Sequence, residues 1–126
     1  ANVAHMGDLV FNRVHPYIDR GSGASIKNWI EVLRITAGEL PADTLYIFGH
    51  GNSAYGITGD KDDLMHKSNF LEALLAYTQK GLDAGKSKEE ISDLEALPGF
   101  EEFNAPGWGL TLSRDLGTAY DELTEG

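Results

Sequence analysis

Apolar residues recur along the chain in two rhythms, and the change between them marks the predicted elements. Val3 to Met6 and Leu9-Val10-Phe11 are short extended apolar runs interrupted by Gly7 and Asp8, which predicts a short strand ended by Gly7 and a second extended stretch after it. Asn12 to Gly23 is rich in Pro, Gly and polar residues and reads as a loop. Ser25 offers an N-cap to a helix whose apolar face is Ile26, Trp29, Ile30, Leu33 and Ala37; Gly38 can cap its C-terminus and Pro41 stops it. Thr44 to Phe48, β-branched and aromatic between Asp43 and Gly49, is the clearest strand.

Beyond it the rhythm is helical. Gly49 to Gly59 is a glycine-punctuated loop, and Asp60 caps a helix predicted to run to about Ala84, with Leu64, Leu71, Leu74, Leu75, Thr78 and Leu82 along one side. Gly85 closes it. Ser87 and Glu90 form a capping-box pair ahead of Ile91, Leu94 and Leu97, which Pro98-Gly99 terminates. Phe100 to Gly109 reads as irregular, and Leu112, Leu116, Ala119, Tyr120 and Leu123 describe a last amphipathic helix. The pattern gives little sheet for the amount of helix it must carry.

Composition narrows the function classes. The 126 residues suit one domain, and 41% are hydrophobic, enough for a core without staples. The absence of Cys excludes a disulfide scaffold, a thiolate metal site and a cysteine nucleophile. A net charge of −10 argues against nucleic acid or an anionic membrane as partner, because phosphate binding needs clustered Lys and Arg. No apolar run reaches the roughly 18–20 residues that span a bilayer.

Two short constellations can carry chemistry. In His5-Met6-Gly7-Asp8 a carboxylate follows a predicted strand end, where open α/β sheets place ligands; a turn Asp bonding its own backbone is the plainer alternative. In Tyr46-Ile47-Phe48-Gly49-His50-Gly51 an imidazole sits between two glycines after a strand, as metal-binding histidines can, or as an incidental surface turn would have it. One oxygen and one nitrogen donor at corresponding strand ends suit Zn²⁺ or a related first-row ion, although a catalytic zinc wants three protein ligands and a water.

His5 to Asn12, then His15-Pro16-Tyr17-Ile18-Asp19, then Phe48-Gly49-His50-Gly51 together resemble the C-terminal half of a metallo-β-lactamase-fold hydrolase. Within that superfamily the chain is most similar to the branch associated with quinoprotein relay systems. Gly85 to Ile91 and Leu97-Pro98-Gly99-Phe100 resemble the helical extension of those enzymes. The resemblance implies an α/β fold, the C-terminal half of an αββα sandwich, with residues 1–84 as part of the hydrolase domain and 85–126 as a helical extension packed on it. It implies that Asp8 bridges two metals and His50 binds the second, and that Asn12, His15 and Tyr17 border the substrate groove. Zinc is the implied cofactor and a small-molecule ester, thioester, lactone or amide the implied substrate. Phosphodiesters belong to the same chemistry, since paired cations acidify a bridging water and polarise the oxygen under attack.

The family's His-X-His-X-Asp-His motif is absent, as is the separate histidine that follows it. The expectation is therefore a half-site: a chain inactive or weakly active alone, whose uncovered sheet self-associates as a homodimer or meets a complementing N-terminal half. A non-catalytic interaction module is the alternative, with Asp8 and His50 as relics or turn residues, and anion binding at Gly21 to Ser25 is a weaker option because the full phosphate-loop signatures are missing. Among the remaining candidates, His5 is expected to face away from Asp8, three residues on along the strand. His66, among Lys61, Asp62, Asp63 and Lys67, reads as a solvated helix residue. Asp60, Asp62 and Asp63 lack EF-hand spacing and suit a helix N-terminus. Trp29 is placed in the core, and Trp108 is expected to pin the irregular segment.

Overall fold

The structure, a computed structural model, describes residues 3–18, 23–52, 54–104 and 110–125, with the side chains of all of these except Asp8, Leu9 and Phe11. Strand β1 (Val3–Asn12) leads through helix α1 (Ile26–Glu39) to β2 (Leu45–Gly51). A short β3 (Thr58–Gly59) is followed by α2 (Lys61–Asp83), α3 (Lys88–Ser92), a single 3-10 turn (Glu101–Phe103) and α4 (Leu112–Glu125). Among the described residues these strands form one sheet in the order β1-β2-β3, with β1 and β2 parallel and β2 and β3 antiparallel. A parallel pair needs a crossover, and α1 supplies it. The chain is thus mixed α/β.

Local signals account for the helix starts. Ser25 accepts from the Asn28 amide, and Asp60 with Asp63 and Ser87 with Glu90 each close a reciprocal capping box. Gly85, at φ 77°, ends α2 in the left-handed region that its missing Cβ allows. The end of α1 differs from expectation: Gly38 stays inside the helix and Leu40 is the C-cap, its amide bonded to the Thr36 carbonyl. Pro41 comes just after and cannot extend the ladder.

The sheet corrects two boundaries. Gly7 does not end β1, because at φ 54° it turns the backbone within a continuing strand. Gly7 pairs with Phe48 and Phe11 with His50, so Asp8, Leu9 and Val10 lie opposite Gly49 alone, as a bulge. The Gly-His-Gly segment is likewise not a turn after β2 but its last three residues, kept in the ladder by the Phe11–His50 and Asn12–Gly51 pairs.

One sheet face is packed and the other open. Tyr46 and Phe48 are buried while the alternating Leu45 and Gly49 are exposed. Beneath the covered face, Met6, Val10, Leu33, Leu71 and Leu74 share a core with Leu97, Phe103, Leu112 and Leu116, so the 3-10 turn and α4 pack into the same core as the sheet. Among the described residues no helix is long and apolar enough to cross a membrane.

Candidate functional site

The residues singled out by sequence fall around the C-terminal halves of β1 and β2. His50 is half-buried, opposite Phe11. Asp8 lies on the neighbouring strand, in the bulge and not at a strand end; its side chain is outside the described set. The two are therefore on adjacent parallel strands, with Asp8 three residues before the position that pairs with His50. Gly51 is required by close approach: a Cβ there would collide with the Gly56 carbonyl as the loop after β2 turns back.

Asn12, His15 and Tyr17 have different surroundings. Asn12 is 3% exposed and fastens the loop, its Nδ2 donating to the Gly56 carbonyl (2.9 Å) and its own carbonyl accepting from the Asn52 amide (2.7 Å). Asn52 completes the seam through Nδ2, which donates to the carbonyls of Arg13 (3.2 Å) and Glu102 (2.8 Å). His15 is buried between Phe70 and Phe103, and its Nε2 meets Asn104 Oδ1 at 2.6 Å. Tyr17 keeps an exposed ring, with the Arg114 guanidinium 4.8 Å above it.

The polar centre of the structure is a cluster that the sequence reading passed over. Asp115 Oδ2 lies 3.3 Å from His15 Nδ1, and both side chains are 2% exposed. Lys67 is as deeply buried, its ammonium 5.2 Å from the ring centres of Trp29 and Phe70 and 5.7 Å from that of Phe103. Desolvation pulls the Lys67 pKa down to about 7, partly opposed by the charge of Asp115. Asp115 is pushed up by desolvation, against the opposing pull of His15 and Lys67. A signal was present: Lys67 is in helical register with Leu64, Leu71 and Leu74, and Asp115 with Leu112 and Leu116, so each interrupts an apolar stripe.

His66 is not a solvated residue. It packs against Phe100 and Phe103 and meets Glu102 Oε1 at 2.7 Å. His5 is exposed, and its Nδ1 accepts from the Gly7 amide at 3.1 Å. Trp29 packs at the edge of the core beside Lys67. Trp108, Asp19, Gly21 and Ser22 lie outside the described residues.

Among the described residues no three His, Cys, Asp or Glu side chains come together as a metal site. By residue type, Asp8 and His50 would offer one oxygen and one nitrogen donor, short of the three that a catalytic zinc takes. The donor types fit the metal but their number does not, so no hydrolytic step is derived from these residues alone. No protein-family model matches the chain. A comparison with curated proteins likewise finds no match.

Proposed function

We propose that the chain contributes Asp8 and His50 to the zinc centre of a metallo-β-lactamase-like hydrolase acting on an ester, thioester, lactone or amide. The observation that supports this reading is the parallel pairing of β1 with β2 across α1, which sets Asp8 and His50 on neighbouring strands. When bound, paired metal ions would acidify a water and polarise the substrate oxygen. Asn12 holds the loop beside the strand ends, and on this reading the exposed Tyr17 ring would be available to a substrate. With two ligands the chain alone is inactive or weakly active. Calorimetry with zinc tests the reading: weak binding is expected in the native chain and none in the Asp8→Asn, His50→Gln double variant. Equal zinc uptake by both removes the basis of the proposal, and robust hydrolysis by the chain alone contradicts the half-site.

The open sheet face favours a second reading, a self-associating, non-catalytic module. Val3 and Leu45 are ladder partners and are 53% and 46% exposed, so a second copy, or a complementing N-terminal half, would find apolar surface there. Sedimentation at micromolar concentration is expected to show a dimer on this reading, and a cooperatively folded monomer would refute it.

A further inference from the structure

Strand β1 is least supported by its partner where it carries Asp8. The ladder has rungs at Gly7–Phe48 and Phe11–His50, and between them Asp8, Leu9 and Val10 share Gly49. The backbone at Asp8 therefore takes its course from the residues on either side. On the far side Val10 is fully buried in the core and fixes the exit from the bulge. On the near side stands Gly7, at φ 54°. A Cβ built on Gly7 would meet nothing within 4 Å, so this glycine serves the left-handed turn and not a close approach. Glycine also has the most conformational freedom to lose, and a turn through it needs an outside hold.

His5 supplies that hold. The Gly7 amide donates to His5 Nδ1, two residues back along the strand, at 3.1 Å. An amide N–H only donates, so Nδ1 is the bare nitrogen and the ring proton sits on Nε2. Asn and Asp side chains turn a backbone in the same way, by accepting from the amide two residues on. With Nδ1 engaged and Nε2 protonated, the ring has no lone pair left for a metal. The ring is exposed, while Met6 and Val10 carry the strand's share of the core, so packing does not account for it.

We propose that His5 is a positioning residue for Asp8: its imidazole holds the left-handed turn at Gly7 and so sets the backbone from which Asp8 meets a metal shared with His50. The metal in this proposal rests on the Asp8–His50 reading, and the hold on Gly7 does not. A histidine acting as ligand needs the lone pair of a free ring nitrogen, whereas a positioning histidine needs only an acceptor at Nδ1. Asparagine places its Oδ1 where histidine has Nδ1 and has nothing in place of Nε2. It can therefore replace a positioning His5 and cannot replace an imidazole ligand.

NMR on the whole chain tests this, first without metal. The His5 ring is expected as the Nε2-protonated tautomer, with a scalar coupling across the hydrogen bond from the Gly7 amide to Nδ1. Residual dipolar couplings of the Asp8 amide, which report its orientation, are expected to match between the native chain and His5→Asn and to change in His5→Ala. Zinc alone is then the probe. His50 is expected to respond at the same zinc concentration in the native chain and His5→Asn. In His5→Ala that concentration is expected to rise about two- to tenfold, the range that one exposed hydrogen bond supplies. An Nδ1-protonated ring, or an Asp8 amide that keeps its orientation in His5→Ala, overturns the proposal. So does a zinc response that His5→Ala leaves unchanged, or one that falls as far in His5→Asn as in His5→Ala, which would make His5 a ligand. A native chain whose His50 ignores zinc removes the Asp8–His50 reading and with it the metal, whereas the metal-free measurements still decide whether His5 holds the turn.

Discussion

Tyr46 has no exposed surface, and among the described residues its buried hydroxyl finds no hydrogen-bond partner. An orphaned hydroxyl gives up its hydration with no return, so Tyr46→Phe is expected to leave stability unchanged or raise it by about 1 kcal/mol. Urea denaturation checks this, and a clear loss of stability would show that the hydroxyl is satisfied. Lys67 and Asp115 pose the same accounting with charges. If the two groups interact, the effects of replacing each alone do not add to the effect of replacing both. The comparison is therefore Lys67→Met against Lys67→Met with Asp115→Asn, by denaturation at neutral pH; additive losses would contradict a coupled pair. None of these burials is decided locally. A lysine inside an apolar stripe could snorkel to solvent, and only the packing of Trp29, Phe70 and Phe103 around Lys67 decides that it does not.

At the level of elements, what depends on neighbours in sequence was legible and what depends on distant partners was not. The caps at Ser25, Asp60 and Ser87 are short-range hydrogen bonds, and the helices begin where those residues fall. Gly7 read as a stop because a positive-φ glycine commonly ends a strand, yet pairing with β2 carries β1 five residues further to Asn12. Strand β3 has only two residues and exists through Tyr46 and Ile47 across the ladder. The start of α1 also has a remote component. Glu122, from α4, accepts both the Ile26 and Lys27 amides, placing a carboxylate where the helix dipole favours it. Glu122→Gln keeps the shape but removes the charge and is expected to lower stability by about 1–2 kcal/mol, with faster exchange in the first turn of α1. Unchanged exchange there would show that Ser25 alone caps the helix.

For the whole molecule, pH acts most directly through the buried cluster. Unfolded Lys67 keeps its proton to about 10.5, whereas in the native state burial releases it at about 7. Between those values the unfolded chain binds more protons, so stability is expected to rise with pH above neutrality, the Lys67 penalty being fully present below it. Asp115 behaves oppositely: desolvation raises its pKa above the usual carboxylate range, so its contribution is present in acid and lost as pH climbs through its native value. Denaturation across pH should show the alkaline rise in the native chain and not in Lys67→Met. The α/β class and the crossover from β1 to β2 were legible from the two strand motifs and the helix between them, while the polar centre at His15, Lys67 and Asp115 was not, because it assembles residues from three separate stretches of chain. The central claim is that Asp8 and His50 act together as metal ligands. Imidazole NMR during zinc titration tests it most directly, since the chain has only four histidines. The His50 resonances are expected to shift while His5, His15 and His66 stay in place, with the response weakened in Asp8→Asn. A His50 signal that does not move, or moves no more than the other three, would contradict it.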